Sequence, residues 1–435
     1  MLSAGTGHRL LGVLPQARLD DLVARHVGAH RQRRFPPAVT LGLFVEQSLR
    51  TDPACQDAVA RYLSQRTAFG LPAVGLGTGS YCKARQRLPL ALIQACTADV
   101  ATLAEDALPA DARWRGRRIW LIDGTEVSMP DTPELQNAFP QSRSQAPGLG
   151  FPRARLVGMV SLGSGCVGEY TLAPCSGKRT GESSQLWALL EHFAPGDLVI
   201  ADRAYSSYCL LAALQQRGVD FVIREHASRD NAAVYGSRLG PKDRRLVWSR
   251  PVRPDWMSAD VYETVRELLC VREVIDGQRR IVTSLRDPSA VPAAEIAWLY
   301  AQRWQIELDF RSIKCAMNMD ILRCKSPDMV RKEVAATLLA YNLIRVAMGE
   351  AARPDRGMLR QLSFAAARRA AAQYQDNVRR TACTALRRQA RVLMLQQIAY
   401  WRVPDRPGRI EPTEPRRRAR ARIAKQQADL RAAGA

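Results

Sequence analysis

Two aspartates far apart in this 435-residue sequence each follow an apolar run. Asp123 ends the run RRIWLID, and Asp202 ends the run DLVIAD. Such runs are typical of buried β-strands, and the active sites of open α/β sheets gather at the carboxyl ends of their strands. If the two strands are neighbours, their carboxylates converge and repel each other unless a divalent cation binds. Oxygen ligands of this type select Mg²⁺ or Mn²⁺.

Each aspartate taken alone has a simpler explanation. Asp-Gly after a strand is also a common turn, and an Asp-Arg pair also forms on ordinary surfaces. A third acidic residue favours the metal site. A long helix is predicted from Pro292 to about Met317, and it contains Tyr300, Arg303, Glu307 and Lys314.

These four residues are predicted to share one face of that helix. Arg303, Glu307 and Lys314 follow Tyr300 by three, seven and fourteen residues, which at 3.6 residues per turn places them in a narrow arc. A solvated salt-bridge face is the alternative, but an aromatic residue does not suit it. The set fits a face that meets a metal and phosphates, with the glutamate as ligand and the cations on phosphate oxygens. Two ions about 3.5–4 Å apart in such a site support phosphodiester cleavage.

The spacing Tyr300-x2-Arg303-x3-Glu307-x6-Lys314 resembles the Y-R-E-K signature of the insertion-sequence-four (IS-four) family of DDE transposases. The segments IDGTEVSMPDTP around Asp123 and IADRAY around Asp202 are similar to the aspartate regions of that family, and so is IVTSLRDP before the helix. The resemblance is strong over residues 115–325 and looser elsewhere.

This resemblance implies an α/β fold with a ribonuclease-H-like catalytic core and a β-rich insertion. It implies that Asp123, Asp202 and Glu307 are the catalytic residues and hold two Mg²⁺ ions, for which Mn²⁺ substitutes. The expected reaction is cleavage of DNA at the element ends and strand transfer by the freed 3′-hydroxyl, by a cut-and-paste route through a hairpin intermediate. Tyr300, Arg303 and Lys314 would contact phosphates near the cut.

The charge balance agrees with a nucleic-acid partner. The formal net charge is +22, and such a surplus favours polyanions, although a solvated basic surface is the alternative. The ten cysteines form no C-x-x-C pair, which indicates buried, reduced thiols and no zinc ribbon. No apolar stretch reaches the length of a membrane span or signal-peptide core. We expect a cytoplasmic, nucleoid-associated bacterial protein.

Changes in pattern along the chain predict five regions. Residues 1–110 are expected to form a helical DNA-binding region, and residues 111–227 with 291–325 the catalytic core. Residues 228–290 are expected to be the β-rich insertion, in which YETVRELLCVREV is assigned to a strand. A helical region at 326–403 and a flexible basic tail at 404–435 complete the chain.

Further DNA contacts are predicted from basic residues outside the helix. Arg203 follows Asp202 directly, and Lys83, Arg85 and Arg87 form a cluster in the helical N-terminal region. We assign this cluster to recognition of the terminal inverted repeats, with a solvated helix face as the alternative. Trp248 and Trp256 lie in the insertion, where related enzymes hold a flipped base, but a core role is the simpler explanation for both.

Three functions remain open at this point. The first is an active transposase that binds terminal repeats and target DNA as a homodimer. The second is a structure-selective, Mg²⁺-dependent DNA nuclease of the same fold. The third is an inactive DNA-binding derivative that acts as a repressor.

Overall fold

One nine-stranded mixed sheet organises the protein. The computed structural model describes residues 11–30, 34–72, 75–142, 146, 148–177, 180–226, 233–255, 257–352, 359–381 and 383–403. The predicted basic tail and Trp256 lie outside these residues. The strands are β1 (Ile119–Ser128), β2 (Arg153–Ser161), β3 (Val167–Pro174), β4 (Leu198–Ala201), β5 (Asp220–Arg224), β6 (Ala233–Gly240), β7 (Asp243–Ser249), β8 (Leu268–Asp276) and β9 (Arg279–Thr283).

The strand order is β3-β2-β1-β4-β5-β9-β8-β7-β6. Strands β1, β4 and β5 run parallel to one another, and every other neighbouring pair is antiparallel. Parallel strands need long crossovers, and here these carry helices. The sheet therefore combines an antiparallel β1–β2–β3 meander with two parallel additions and a further antiparallel meander.

Helices surround the sheet. Five of them precede it, as the apolar spacing of the N-terminal sequence predicts. The helices are α1 (Gln16–Val27), α2 (Pro37–Ser48), α3 (Cys55–Ala68), α4 (Gly79–Arg87), α5 (Leu90–Asp106), α6 (Pro133–Ala138), α7 (Glu182–Ala188), α8 (Tyr208–Gln216), α9 (Ala259–Thr264), α10 (Ala293–Ala301), α11 (Trp304–Arg311), α12 (Pro327–Ala352), α13 (Phe364–Arg379) and α14 (Thr384–Tyr400).

Alternation of side chains along β1 divides the core into two layers. Ile119 and Leu121 of β1 join the core on one face of the sheet, which the long buried helix α12 dominates. Trp120 and Ile122 join the core on the other face, with α8. Side chains alternate between the faces of a strand, so a fully apolar run is buried on both faces. This pattern fixes the register of β1 and hence the position of Asp123.

The predicted insertion is continuous with the main sheet. The region contains strands β6 to β9, as predicted. Strand β9 pairs with β5 of the main sheet from Val222↔Thr283 to Arg224↔Ile281. The assignment of YETVRELLCVREV to one strand is wrong in its first part, because the segment around Tyr262 is helix α9. The Ser258 hydroxyl accepts a hydrogen bond from the Val261 amide and so caps this helix.

The predicted helix from Pro292 to Met317 is interrupted. It consists of α10, a turn at Gln302 and Arg303, α11, and a π-helical turn over Ser312–Ala316. A π turn is wider than an α turn, so it changes the rotation of the residues that follow. The predicted stripe is therefore not that of one ideal helix, because it is interrupted at Gln302–Arg303 and again at the π turn that contains Lys314.

The cysteines and the long helices give two further features of the described residues. All ten cysteines are free, and Cys315 and Cys383 are exposed rather than buried as expected. No single helix in the described ranges has both the length and the apolar composition to cross a membrane. Helices α4 and α5 meet that requirement only when taken together, across a bend of 73°.

Candidate active site

The register of the parallel strands brings Asp123 and Asp202 together. Ile122 of β1 pairs with Ala201 at the end of β4, so the next residue of each strand lies at the same edge. Strand β1 continues beyond Asp123 to Ser128, paired with β2 along this stretch and bridged to Ile321 at Ser128, so Asp123 does not end its strand as predicted. The Asp-Gly pair is therefore part of a strand and not a turn. Both aspartates are half-buried.

Helix α11 carries Glu307 to the same edge. It packs on β1, and the ring of Phe310 lies against Gly158, the β2 residue that pairs with Asp123. A Cβ atom on Gly158 would be 3.4 Å from this ring, so the ring lies in direct contact with this position of the strand. Glu307 lies one turn before Phe310 and hence on the same side of the helix. The strand pairing and this contact together position the third acid.

Arg303 bridges two of the three acids. Its Nη2 donates to Glu307 Oε1 at 2.6 Å, and its Nη1 lies 3.7 Å from Asp123 Oδ2. The three side chains are between one-fifth and about one-third exposed. The guanidinium thus neutralises carboxylates that would otherwise repel each other in a partly desolvated site.

The Asp123 carboxyl has a raised pKa, as expected where carboxylates converge in a partly desolvated site. Burial raises the pKa of the Asp123 carboxyl to about 7, and the charges of Asp202 and Glu182 add to the rise. The Gly124 amide, which donates to Asp123 Oδ1 at 2.8 Å, and Arg303 both oppose it. The neutral form is therefore well populated near pH 7, and a bound cation would favour the charged form.

The donor set fits a hard divalent cation, although it is not closed around one. Within the described ranges, no three acidic, histidine or cysteine side chains are grouped tightly enough to form a finished metal site. Carboxylate oxygens are the ligands that Mg²⁺ and Mn²⁺ prefer. Arg303 occupies the position between Asp123 and Glu307 where positive charge is required.

Tyr300 and Arg224 lie beside the acids. The Tyr300 ring is buried in the core, which raises its pKa, while Arg303 and Arg224 lower it and Asp202 raises it. Arg224 follows Ile223, which pairs with Ala201, so it extends the row of residues that Asp123 and Asp202 begin. An open groove of about 460 Å³ runs from Arg224 to the β8–β9 turn at Asp276–Arg279. The carboxyl edge of the parallel strands thus carries the acidic side chains of Asp123 and Asp202 and the basic side chain of Arg224.

Lys314 and Arg203 are placed differently from Arg303, which bridges two of the acids. Lys314 lies in the π-helical turn, and its Nζ is 3.0 Å from Asp320 Oδ1. Arg203 is exposed in the single turn of 3-10 helix that follows Asp202. That turn is capped by Asp202, whose Oδ1 accepts from the Ala204 amide at 2.8 Å.

The three residues of the N-terminal basic cluster, Lys83, Arg85 and Arg87, differ in their burial. Lys83 and Arg87 are exposed and lie one helical turn apart on α4. Arg85 is buried: its guanidinium lies 4.0 Å from the Phe44 ring centroid and donates to Cys55 Sγ at 3.0 Å. This position argues against the DNA contact predicted for Arg85, because its side chain packs into the protein.

Replacing Arg85 should therefore affect stability. Arg85→Ala is expected to lower the free energy of unfolding by about 2–3 kcal/mol, because it removes buried packing, a cation–π contact and hydrogen bonds. Lys83→Ala, its exposed neighbour, should change stability by less than about 0.5 kcal/mol. Urea denaturation followed by circular dichroism measures both. Equal effects of the two variants would contradict this assignment.

Three residues at the site were not found from the sequence. Arg224 could have been found from the sequence, because it follows the apolar run DFVI just as Asp202 follows LVIA. Tyr205 is the last residue of the segment IADRAY noted above, but no role was predicted for it, and Glu182 starts a short helix after a loop. Trp248 is 1% exposed in the core, which agrees with the simpler explanation given above.

Carboxylates and arginines at the carboxyl edge of a mixed α/β sheet are typical of metal-dependent enzymes that act on phosphodiesters. The model of the Transposase DDE domain family matches residues 114–343, and the chain belongs to this family. It is a DNA transposase, an enzyme that cleaves nucleic acid and transfers strands. Members of the family use divalent metal ions.

Individual relatives agree with this family. The chain is 29% identical over 347 residues to the transposase InsG of insertion sequence element IS4 from Escherichia coli K12, covering 77% of this chain and 75% of the relative. It is 27% identical to the putative transposase InsZ of the same organism, covering 43% of this chain and 60% of the relative.

A solved structure is also similar. It is the piggyBac transposase synaptic complex with hairpin DNA, with a TM-score of 0.41 and 10% sequence identity. The match covers 94% of this chain and 87% of that chain. This similarity is too distant to define the fold or the mechanism.

Proposed function

We propose that this transposase cuts the ends of its element with Asp123, Asp202 and Glu307 as the carboxylates that hold two Mg²⁺ ions, with Mn²⁺ as a substitute. The main support is the strand register, which sets Asp123 and Asp202 side by side, together with the Arg303 bridge to Glu307. Bound divalent cations at these carboxylates would activate the attacking oxygen and stabilise the leaving oxygen of a phosphodiester.

We also assign a ribonuclease-H-like core to strands β1 to β5. Its support is the order β3-β2-β1-β4-β5, with an antiparallel meander followed by two parallel strands. Strand β1 is central in this set and carries Asp123, and the adjacent strand leads to Asp202. Helix α11 then supplies Glu307 from outside the sheet. In this assignment β6 to β9 are an extension of the core sheet that supports the DNA-binding edge.

The basic residues at the edge have distinct roles in the proposal. Arg303 neutralises Asp123 and Glu307 in the free protein, and its remaining donors are available to the DNA phosphate. Tyr300 and Arg224 lie on the Asp202 side and bind the backbone next to the cut. Lys314 and Arg203 contact phosphate farther from the acids. The exposed Lys83 and Arg87 bind DNA of the terminal repeats through their charge.

Arg224 provides a test of this arrangement. Arg224→Ala should reduce the cleavage rate about tenfold and lower the salt dependence of DNA binding by about one phosphate contact. Arg245, an exposed arginine on β7, gives a control of the same charge change. Arg245→Ala should leave the cleavage rate within about twofold, measured with a labelled duplex at several salt concentrations. Equal rate losses in both variants would remove the assigned role of Arg224.

The overall reaction is proposed to be cut-and-paste transposition by a homodimer on paired ends, through a hairpin intermediate. The test uses DNA that flanks the gene, incubated with full-length protein and Mg²⁺. Duplexes with the native terminal repeats should be cut at the element end and yield hairpins on denaturing gels, and scrambled repeats should not be cut. Equal cutting of both duplexes would indicate a structure-selective nuclease, and binding without cutting would indicate an inactive derivative.

A further inference from the structure

Helix α4 has a polar face that pairs with nothing in the described part of the chain. Its residues Ser80, Lys83, Gln86 and Arg87 are all exposed. At 3.6 residues per turn these four residues lie on one side of the helix. Their side chains form no hydrogen bond or ion pair with any residue that the structure describes. This side of α4 is therefore free to contact a partner.

The opposite side of α4 is anchored in the protein. Tyr81 is fully buried, and its Oη donates to Gln47 Oε1 on α2 at 2.5 Å. Arg85, one turn further along, packs on the ring of Phe44, which also belongs to α2. Because these contacts hold the helix against α2, the exposed face has a fixed orientation. Specific recognition requires side chains that are positioned by a rigid element.

The positive charge of this face is not compensated. Helix α4 contains no acidic residue. The exposed arginines of α1 differ in this respect, since Arg18 donates to Asp99 Oδ2 at 2.9 Å and Arg25 donates to Asp21 Oδ2 at 2.8 Å. Lys83 and Arg87 have no such partner among the described residues. The face is thus complementary in charge to a polyanion such as DNA.

The segment before α4 leaves room for a partner. A Cβ atom added to Gly77 or to Gly79 would meet no atom within 4 Å. The exposed Arg34 lies beside this segment, with its Nη1 3.5 Å from the Cβ position of Gly75. Another backbone can therefore approach the start of the helix closely, and a guanidinium is next to it to bind a phosphate.

The side chains of the face suit the edges of base pairs. An α-helix fits the major groove of DNA, where arginine and lysine bind guanine O6 and N7 and glutamine binds adenine N6 and N7. At 1.5 Å per residue, Lys83 and Arg87 are about 6 Å apart along the helix, which corresponds to roughly two base pairs of about 3.4 Å each. Attraction by charge alone gives no role to the neutral Gln86 between them.

We propose that α4 is a recognition helix that lies in the major groove of the terminal repeat, where Gln86 reads adenine and Lys83 and Arg87 read guanine. Arg34 binds a phosphate beside the start of the helix. The inference rests on the proposed function, in which the protein binds terminal repeats. It adds base reading to the charge attraction of Lys83 and Arg87, because phosphate contacts alone carry no sequence information.

The test measures binding of the full-length protein, without divalent cations, to duplexes in which each base pair of the native terminal repeat is replaced in turn. Fluorescence anisotropy gives the Kd for each duplex. Gln86→Ala should weaken binding to the native repeat about tenfold and lose the preference at one A·T pair, as expected for a bidentate base contact. Its affinity for a scrambled duplex should stay within about twofold of the unmodified protein, because no charge is removed.

Gln16→Ala is the matched control. Gln16 is an exposed glutamine on α1 whose amide donates to Asp20 at 2.8 Å. This variant should keep the affinity for the native repeat and the preference at every base pair. Thermal melting should show equal stability of Gln16→Ala and Gln86→Ala, since both side chains are exposed.

A second variant keeps the charge and changes the geometry. Arg87→Lys replaces the planar guanidinium, which binds guanine through two parallel hydrogen bonds, with a point charge. It should lose the preference at one G·C pair and keep the salt dependence of binding. Retention of every base preference in both Gln86→Ala and Arg87→Lys overturns the inference.

The unmodified protein separates this inference from the proposed function. If the unmodified protein prefers the native repeat over the scrambled duplex and both variants keep that preference in full, the repeat is read elsewhere and the inference fails alone. If the unmodified protein binds both duplexes equally, the proposed recognition of terminal repeats fails and the inference fails with it.

Discussion

Asp202→Asn should reduce cleavage at the element ends by roughly 10³-fold or more, with DNA binding retained. The amide has almost the same shape as the carboxylate but lacks the charge that a divalent cation requires. Binding should persist because phosphate contacts come from basic residues, and the substitution removes a negative charge from the DNA-facing edge. Single-turnover cleavage and gel-shift titrations measure the two effects.

Asp220 provides the matched control. It begins β5 at the opposite edge of the sheet from Asp202, where its carboxylate accepts hydrogen bonds from Arg117 and Ser284. Asp220→Asn should keep cleavage within about threefold of the unmodified protein. Cleavage by Asp202→Asn within tenfold of the unmodified rate would contradict the assignment of Asp202.

Asp309→Ala should produce the largest loss of stability, about 3–5 kcal/mol in the free energy of unfolding. Asp309 is fully buried and accepts hydrogen bonds from Arg345 and Arg360, and from the Tyr341 hydroxyl at 3.0 Å. Its removal leaves the buried Arg345 without its carboxylate. Urea denaturation measures the loss. Asp131→Ala, at an exposed position, should change stability by less than about 0.5 kcal/mol.

This ion cluster also connects the core to the site. Asp309 lies two residues after Glu307 on α11, and Arg360 donates in addition to the carbonyl oxygens of Ser161 and Leu162 at the end of β2. The cluster thus anchors α11 to α12 and to the sheet. A loss below about 1 kcal/mol in Asp309→Ala would show that the anchor contributes little.

The sequence predicted β1 and β4 as strands because their apolar runs suit burial on both faces, but it left open whether the two strands are neighbours. It did not predict that β1 continues past Asp123, since Asp-Gly is a strong turn signal and the pairing of residues 124–128 with β2 is non-local. The same limit applies to β9, whose pairing with β5 merges the expected insertion with the main sheet. Register between distant segments depends on tertiary packing that a single sequence does not display.

The site residues likewise separate into those that local sequence patterns predict and those that depend on tertiary packing. Asp123, Asp202 and Glu307 were predicted from their position after apolar strands or on a patterned helix, and the strand pairing places the two aspartates at the same edge of the sheet. Arg85 was misjudged because a charged residue in a basic run also packs inward when an aromatic ring and sulfur atoms surround it. Glu182 is near the site only through chain folding, so no local pattern marks it.

Anomalous diffraction from crystals of the protein bound to terminal-repeat DNA and Mn²⁺ would show whether Asp123, Asp202 and Glu307 share divalent cations. If they do, Mn²⁺ peaks should lie at bonding distance, about 2.0–2.3 Å, from carboxylate oxygens of all three residues. A Mn²⁺-bound complex in which any of the three carboxylates lies away from every peak would contradict this prediction.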